Sequence, residues 1–495
     1  MTIDLFRFLP WSLQGKRDAS DESHNGSAFW TDATQALDET IRERLAFLYF
    51  KSYDADMKPR TLTSLDSGNI AIFLNSCKGI LDNFDRAVLA DCLRIPAVNH
   101  SAKPGINQLD WGLCGTVGEI AQIKYLQGRY YIAENKLQDA WDCVVQLYRA
   151  SSLCFQAGNS EVYLTGMNIR NHCLLLLCEI VGHSPGSTSF ARKAIGLTLS
   201  TLDPNFFARA FLAPLAFQAI ECLKECSVDL TIEDVLHNLL QQFVDSDAVE
   251  CEPDLGPVED MSLSKYAPCA GQEAFQSTNL IGTASSATTN LSRLFRLEST
   301  AELIGFVCLR CLEALTCPAH AARNRFAALP YSCLPNELAD DKNWHAGSGI
   351  TTIANLVNCL PKTENAIGLL FVSRFAQALC ARAKRNGFFW YYPLAQHRGI
   401  AAGLSIRVFA AERGCRPHHL EEVVEQGILP AIPVDPFSGE SLHYDEGTDI
   451  VSGELGEPEL QNWMPPVDVS KKLRWRIPVG DDQVDKESIV SSTSP

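Results

Sequence analysis

Three cysteines and a histidine between residues 308 and 320 have a spacing that could bind a metal ion. Cys308 and Cys311 form a C-x₂-C pair, and Cys317 and His320 follow downstream. Zinc is held by four sulfur or nitrogen ligands in a tetrahedron, which is the set that these residues offer. However, Cys308 and Cys311 also fall on the apolar side of a predicted helix, where free cysteine packs like a small hydrophobic residue. We predict packing for this cluster, and therefore no metal and no cofactor.

The other motifs that suggest catalysis fail on their spacing. His418 and His419 are adjacent, whereas the H-E-x-x-H motif of zinc proteases places its two histidines on one helix face. The glycine-rich stretch 345–351 contains neither the G-x-x-x-x-G-K-(S/T) of a phosphate-binding loop nor the G-x-S-x-G of a nucleophile elbow. We interpret both stretches as helix starts and predict no catalytic residue.

Five consecutive aromatic residues, Phe388 to Tyr392, follow Gly387. Large aromatic side chains are enriched at protein interfaces, and they are also common where secondary-structure elements meet in a core. The sequence leaves both interpretations open and favours the core.

Prolines and turn-forming residues are concentrated in the C-terminal part of the chain. Proline fixes φ near about −65°, so Pro430 and Pro433 hold the backbone extended. Asp435 can accept hydrogen bonds from the backbone that follows it, and Gly439 permits the positive φ with which the chain reverses into a strand. We predict a structural motif rather than a catalytic one, formed by Pro417, Leu420, Pro430, Pro433, Asp435, Pro436, Phe437, Gly439, Tyr444 and Trp475.

The segment from Arg416 to Tyr444 is similar to the C-terminal module of the major pseudopilins of type II secretion. In that module a P-x-x-L helix leads into a P-x-D-P-(W/F)-x-G turn and a short strand. The segment resembles more closely a set of large uncharacterised bacterial proteins, in which helical hairpins precede the module and a W-R-(I/L)-P strand follows it. Here Trp475–Pro478 occupies the place of that strand. The resemblance covers residues 399–478 and implies a small α+β module with a short antiparallel sheet.

The chain departs from the pseudopilin pattern in two places. The long apolar N-terminal helix of a pseudopilin has no counterpart, so we do not expect a pilin. In pseudopilins an acidic, glycine-containing loop follows the first strands and in some cases binds calcium. The corresponding loop here is altered, and calcium binding is left open for the acidic residues Asp445, Asp449, Glu454 and Glu457.

Apolar residues recur every three or four positions between residues 111 and 181. They form three stripes, and breaks at Gly128 and at Gly158–Asn159 separate the predicted helices. Because one apolar stripe cannot shield itself from water, the pattern predicts antiparallel helical hairpins that bury these faces against each other. The spacing of one tetratricopeptide unit is matched weakly, without a recurring repeat, by Gly128, Tyr131 and Ala140.

Further helices and a few short strands complete the predicted fold. One helix follows Thr31, and the S-x-x-E capping box Ser299–Glu302 starts another. Other helices are predicted at 365–385, up to Gly414 and at 418–425, and short strands are predicted at 441–444, 449–452 and 473–477. The predicted fold class is mainly α, with antiparallel helical hairpins, weakly tetratricopeptide-like, followed by a small α+β C-terminal module with a short antiparallel sheet.

The predicted regions follow one another along the chain. Acidic, proline, glycine, serine and threonine residues interrupt the helical pattern between Asp245 and Asn290, which indicates a long loop or linker. The predicted organisation is a flexible lead-in at 1–30, a helical-hairpin domain at 31–244, the long loop or linker at 245–290, a second helical region at 291–398, the pseudopilin-like module at 399–480 and a polar tail at 481–495.

The composition excludes several functional classes. The chain has 495 residues, with 42 Lys and Arg against 59 Asp and Glu, and its formal net charge of −17 repels nucleic-acid phosphates. No apolar run reaches the roughly 18–20 residues that cross a bilayer. Many of the 18 cysteines fall at core positions of predicted helices, which is typical of a reducing compartment. We therefore expect a cytoplasmic protein with no membrane span and no nucleic-acid partner.

Two functional classes remain. The first is a non-enzymatic scaffold, because stacked helical hairpins present a surface to a protein partner. The second is an enzyme, for example a hydrolase, whose cleft near residues 245–290 is assembled from residues distant in sequence. The absence of a nucleophile, phosphate or metal motif favours the scaffold. A deep pocket with converging titratable groups of perturbed pKa would favour the enzyme.

Overall fold

The computed structural model describes residues 5–10, 27–53, 62–90, 111–184, 188–200, 202–225, 295–332, 365–446, 450–453 and 473–476, and the structural statements below refer to them. These residues are mainly helical, and a three-stranded antiparallel sheet lies near the C-terminus. The predicted fold class is therefore confirmed. The predictions for residues 231–234, 245–290 and 345–351 lie outside the described residues.

The described elements begin with a 3₁₀ helix at Leu5–Phe8. The α-helices, numbered here in chain order, are α1 Ser27–Gln35, α2 Glu39–Lys51, α3 Ser64–Ser76, α4 Lys78–Ala87, α5 Trp111–Ala133, α6 Leu137–Gln156, α7 Ser160–Gly182, α8 Thr188–Leu199, α9 Pro204–Phe211, α10 Ala213–Glu225, α11 Leu297–Leu315, α12 Ala319–Ser332, α13 Ala366–Asn386, α14 Phe388–Arg413 and α15 Leu420–Glu425. The strands are β1 His443–Asp445, β2 Ile450–Gly453 and β3 Leu473–Arg476.

The chain divides into two compact units. The first unit is formed by Met1–Gln14, Pro214–Ala314 and Arg323–Lys384. The second unit is formed by Gly15–Ala213, Leu315–Ala322 and Arg385–Pro495. The predicted regions and their boundaries stay predictions.

Helices α5, α6 and α7 form the predicted hairpins in the second unit. Short turns at 134–136 and 157–159 join them, so consecutive helices run antiparallel and pack along their length. The third predicted stripe is buried, and its members are Val162, Gly166, Ile169, Cys173, Leu176 and Ile180. Gly158, with φ of 73°, and the N-cap Asn159 make the predicted break between α6 and α7.

The predicted end of α5 at Gly128 is wrong. The helix continues to Ala133 and ends before Asn135, which has a left-handed φ of 58°. A Cβ atom on Gly128 would lie 2.3 Å from Cδ2 of Leu176 on α7. The glycine therefore permits the close approach of α5 and α7 rather than terminating a helix.

The single helix predicted to follow Thr31 is two helices. The chain leaves α1 after Gln35, and Asp38 caps α2 by accepting a hydrogen bond from the Ile41 N–H at 2.8 Å. An aspartate at this position satisfies a backbone donor that the helix itself leaves unpaired. Leu37 is consequently a buried turn residue between the helices.

In the first unit, α11 does not start at the predicted capping box. The helix begins at Leu297, so Ser299 already lies within its first turn. The donor at the helix start is satisfied from elsewhere, because Oδ1 of Asn365 accepts a hydrogen bond from the Arg296 N–H at 2.7 Å. Asn365 precedes α13, and its cap therefore depends on the tertiary fold.

The C-terminal elements match their prediction closely. Helix α14 ends at Arg413, and Gly414 closes it with a left-handed φ of 70°. The strand order is β1-β2-β3, with Tyr444 opposite Val451 and Val451 opposite Trp475. The sheet packs on α14, as does α8.

Among the described helices, none by itself combines the length and the hydropathy needed to cross a lipid bilayer. The consecutive helices α9 and α10 meet that criterion only when they are taken together.

Candidate functional site

Large apolar side chains are exposed on two neighbouring helices of the second unit. Phe47 and Phe50 on α2 are 62% and 63% exposed, and Leu65 and Ile72 on α3 are 71% and 62% exposed. We refer to these four residues as the α2–α3 surface. They lie outside the buried stripe of α2, which consists of Leu45 and Leu48. Single exposed apolar residues are ordinary, whereas a group of four on adjacent helices is typical of a binding surface.

Two contacts show that the two helices run side by side. Nζ of Lys51 lies 3.4 Å from Oδ1 of Asp66, at the end of α2 and the start of α3. One helical turn or more back along α2, the guanidinium of Arg44 lies 5.9 Å from the ring centre of Phe73, further along α3. The helices are thus antiparallel, and this register brings the phenylalanines of α2 alongside α3.

A shallow depression of about 340 Å³ borders this surface. It lies between α3 and α5 and is lined by Leu62, Ser67, Gly68, Ala71, Tyr130, Ala133 and Glu134. Leu65 and Ile72 are three and four positions from Gly68, so they stand on the same side of α3 at the rim. A Cβ atom on Gly68 would meet nothing within 4 Å. The small residues therefore leave space that a side chain from another molecule could fill.

A cluster of rings fixes α2 from its inner side. The hydroxyl of Tyr49 lies 2.7 Å from Nε2 of His172 on α7, and Tyr53 donates a hydrogen bond to the Tyr49 hydroxyl at 3.2 Å. The ring of Tyr125 on α5 lies against all three, with centroid separations of 5.1 to 6.4 Å. These contacts join α2, α5 and α7.

Charged groups extend the same cluster. Glu179 on α7 accepts hydrogen bonds from the Tyr125 hydroxyl at 3.0 Å and from Nε of Arg129 at 2.9 Å. Nη1 of Arg129 also donates to the Ser52 carbonyl at 2.7 Å. A cation at the carbonyl end of α2 interacts favourably with the helix dipole. We call these seven residues the tyrosine network: Tyr49, Ser52, Tyr53, Tyr125, Arg129, His172 and Glu179.

The ionisation of the tyrosine network favours an anchor over a catalyst. Burial raises the pKa of Tyr49 and of Tyr125 above the ordinary value of a phenol. Burial also lowers the pKa of His172 to about 4. Catalytic acids and bases work best with a pKa near the working pH, and these shifts move all three groups away from neutrality. The phenols stay protonated and the imidazole stays neutral, so the network holds α2 in place.

The C-terminal motif residues form a turn around Asp435, which is 1% exposed. Its Oδ1 accepts a hydrogen bond from the Phe437 N–H at 3.0 Å, and its Oδ2 accepts one from the Ser438 hydroxyl at 3.2 Å. Gly439 has a positive φ of 80°. This geometry is that of a turn held by an aspartate side chain.

The remaining motif residues surround this turn or lie in the neighbouring strands. Phe437 packs beside Tyr391, with ring centres 6.0 Å apart, and the carbonyl of Pro436 accepts from the Ala319 N–H at 2.9 Å. The others are buried at Pro417, Leu420, Pro433 and Tyr444 and exposed at Pro430, and Trp475 lies in β3 opposite Val451. The structure assigns them no contact with the α2–α3 surface.

The candidate zinc ligands occupy packed positions. Cys308 and Cys311 are buried in the first unit, where burial raises the pKa of the Cys308 thiol and a hydrogen bond with Cys380 raises that of Cys311. Zinc binds thiolates, which these shifts disfavour. In the second unit, Nδ1 of His320 lies 3.3 Å from the Phe437 carbonyl. The described part of the chain contains no group of three or more His, Cys, Asp or Glu placed to hold a metal ion.

The aromatic run after Gly387 belongs largely to the core. Nε1 of Trp390 donates to the Leu315 carbonyl at 3.0 Å, and the Tyr391 hydroxyl donates to the Cys317 carbonyl at 3.2 Å. Trp390 and Tyr391 are 4% and 1% exposed. Phe388 and Tyr392 are half-buried and stack on each other, with ring centres 4.8 Å apart. The core interpretation therefore accounts for the two central rings.

No protein-family model, no characterised protein and no solved structure matches this chain. The pseudopilin-like character of residues 399–478 thus stays a prediction, and part of the altered acidic loop, including Asp449, Glu454 and Glu457, lies outside the described residues.

The sequence analysis missed the α2–α3 surface and the tyrosine network. A signal for the surface was available, because Phe47 and Phe50 are large apolar residues that do not fall on the Leu45–Leu48 stripe. The network had no such signal, since Tyr49 and His172 are 123 positions apart.

Proposed function

We propose that this protein is a non-enzymatic helical scaffold that binds a partner protein through the α2–α3 surface. The observation that carries this proposal is the combination of four exposed apolar side chains with an adjoining depression lined by small residues. Binding energy at protein interfaces is concentrated where large apolar side chains enter pockets of the partner. The α2–α3 surface offers both the side chains and the pocket.

The partner that fits this surface is an amphipathic helix. Antiparallel helices such as α2 and α3 leave a groove between them, and a third helix fills such a groove with apolar residues spaced three and four positions apart. Glu134 lines the depression, and the chain carries a formal net charge of −17. We therefore expect lysine or arginine residues beside the apolar face of the partner helix, where charge complementarity increases the rate of association.

The tyrosine network supports this proposal because it makes the surface rigid. The inner side of α2 is held by hydrogen bonds from Tyr53, His172 and Arg129, while its outer side carries Phe47 and Phe50. A preorganised surface loses less conformational entropy when it binds. The enzyme alternative, with a cleft near residues 245–290, stays a prediction about residues that the structure does not describe.

Filling the depression tests the proposal most sharply. The Gly68→Leu variant places a large side chain where a Cβ meets nothing within 4 Å, so the protein folds. Leucine in place of a helical glycine stabilises a helix by about 1 kcal/mol. We expect a raised Tm together with loss of the partner captured by affinity purification from the native host and quantified by titration.

Surface variants complete the experiment. Phe47→Ser and Ile72→Ser remove apolar side chains from the α2–α3 surface, and Leu89→Ser is the matched control because Leu89 is 69% exposed but lies after α4. We expect the first two variants to weaken binding at least tenfold and the control to bind normally. Equal binding by the parent, Gly68→Leu, Phe47→Ser and Ile72→Ser would show that the partner binds elsewhere or not at all.

A further inference from the structure

A buried arginine in the second unit has no acidic partner. Arg170 on α7 is 2% exposed, and its guanidinium donates to the Ser151 hydroxyl at 2.7 Å and to the Ser152 hydroxyl at 3.0 Å. Both hydroxyls donate in turn to the carbonyl of Tyr148, at 2.8 and 2.9 Å. The guanidinium lies 3.7 Å from the centre of the Tyr148 ring. These partners are dipoles and a ring face, so none of them neutralises the positive charge.

One donor of this guanidinium is left unused. Nη1 of Arg170 is buried and has no hydrogen-bond partner among the described residues. An unpaired buried charge is among the most unfavourable groups in a protein interior, and such groups are paired with a counter-charge in nearly all folded proteins. The unused donor and the missing counter-charge therefore have the same remedy, which is an anion.

A second orphaned group lies in the same region. His397 on α14 is 1% exposed, and neither of its ring nitrogens has a hydrogen-bond partner of suitable geometry within the described residues. Burial lowers its pKa to about 3, and the charge of Arg170 lowers it further, whereas the nearby backbone of Thr198 on α8 raises it slightly. The electrostatic effect places His397 within range of Arg170. The imidazole is neutral at pH 7, and it therefore offers one N–H donor.

We propose that Arg170 and His397 form an internal site for one small anion of the size of chloride or formate. The anion accepts hydrogen bonds from Nη1 of Arg170 and from the N–H of His397, and it supplies the missing negative charge. Helices α6, α7, α8 and α14 contribute the surrounding groups, so occupancy of the site links these four helices. The near-complete burial of both side chains excludes larger anions. A water molecule would satisfy the donors but would leave the charge unpaired.

Thermal unfolding of the full-length protein tests this site. The ionic strength is held constant while sodium gluconate, whose anion is too bulky to enter, is replaced stepwise by sodium bromide or by sodium formate. Since a ligand that binds only the folded state stabilises it by mass action, we expect a saturating rise in Tm of about 2–4 °C. An unchanged Tm with both anions would overturn the proposal.

Variants and diffraction locate the effect. Arg170→Gln keeps an amide donor but removes the charge, so its Tm should no longer respond to bromide, while the matched control Arg192→Gln, which alters a surface ion pair with Glu412, should respond as the parent does. If Arg170→Gln fails to fold, the parent alone decides: crystals grown in sodium bromide should show an anomalous bromide peak beside Nη1 of Arg170. An ordinary water at that position, or none, would refute the site.

Discussion

The hydroxyl of Tyr49 on α2 lies 2.7 Å from Nε2 of His172 on α7, and this contact joins two segments that are 123 positions apart. Nδ1 of His172 lies 2.8 Å from the Asn168 carbonyl, one helical turn back along α7. The ring thus donates from Nδ1 to its own helix and accepts the phenol proton at Nε2. This tautomer requires a neutral imidazole, and it positions the helix that carries Phe47 and Phe50.

Removing the charged part of the tyrosine network should cost considerable stability. Arg129 is 3% exposed on its side chain and pairs with Glu179, which is 18% exposed. Breaking a buried pair leaves an uncompensated charge and costs about 3–5 kcal/mol. We expect Arg129→Ala to lower the free energy of unfolding by this amount in urea titrations. Arg192→Ala, which breaks a surface pair, should cost about 0–1 kcal/mol, and comparable losses in the two variants would contradict this role of Arg129.

The stability of the protein should depend on pH through His172. Its pKa in the folded state, about 4, lies below the ordinary value of 6.5, so the unfolded chain binds more protons between these values. The contribution of neutral His172 to stability is therefore present above about pH 6.5 and is lost as the pH falls towards 4. We expect urea unfolding midpoints to decrease from pH 7.5 to pH 5.

Substitution of His172 separates this effect from the titration of carboxylates. His172→Gln has no proton to gain, so its midpoint should decrease less between pH 7.5 and pH 5 than that of the parent. His183→Gln is the control, because His183 lies on the surface one residue beyond the end of α7. The assignment fails if both variants follow the parent curve.

A pair of glycines on α5 should respond to alanine with opposite signs. At Gly128 a Cβ would lie 2.3 Å from Leu176, so alanine forces repacking that costs about 1–3 kcal/mol. At Gly118, on the same helix, a Cβ would meet nothing within 4 Å, and alanine should stabilise by up to about 1 kcal/mol. Thermal and urea unfolding of both variants measure the difference. Destabilisation of similar size at both positions would count against close packing at Gly128.

The parts of the fold that depend on local patterns could be predicted from the sequence. The stripes of α6 and α7, the end of α14 at Gly414 and the three short strands follow from spacings within one element. The failures involve partners from elsewhere in the chain. Gly128 has the residue type of a helix end, but its role is set by Leu176, and the start of α11 is set by Asn365 rather than by Ser299.

The candidate sites were less predictable for the same reason. The exposed phenylalanines of α2 could be recognised by their position outside the buried stripe, whereas the depression exists only because α3 lies beside α5. The pairing of Arg170 with His397 joins residues of α7 and α14 that no spacing rule connects. A sequence shows which residues can do chemistry, and the tertiary fold decides which of them meet.

The turn around Asp435 should depend on the charge of this residue as well as on its hydrogen bonds. The carboxylate of Asp435 raises the pKa of Arg398 against the larger effect of burial, which lowers it, and Nη1 of Arg398 donates to the Val434 carbonyl at 2.6 Å. A Cβ on Gly453 of β2 would lie 3.0 Å from Oδ2 of Asp435. The aspartate therefore lies where the turn, α14 and the sheet meet.

Three variants separate the two contributions of Asp435. Asp435→Asn keeps an oxygen that accepts from the Phe437 N–H but loses the attraction to Arg398, and Asp435→Ala loses both. Ser438→Ala removes only the neutral hydrogen bond to Oδ2 and should cost about 0.5–1.5 kcal/mol. We expect losses in the order Ala above Asn above the Ser438 variant, with Asp435→Ala costing about 3 kcal/mol because it also leaves buried donors unsatisfied. If Asp435→Asn matches the parent, the charge contributes nothing and the residue acts through turn geometry alone.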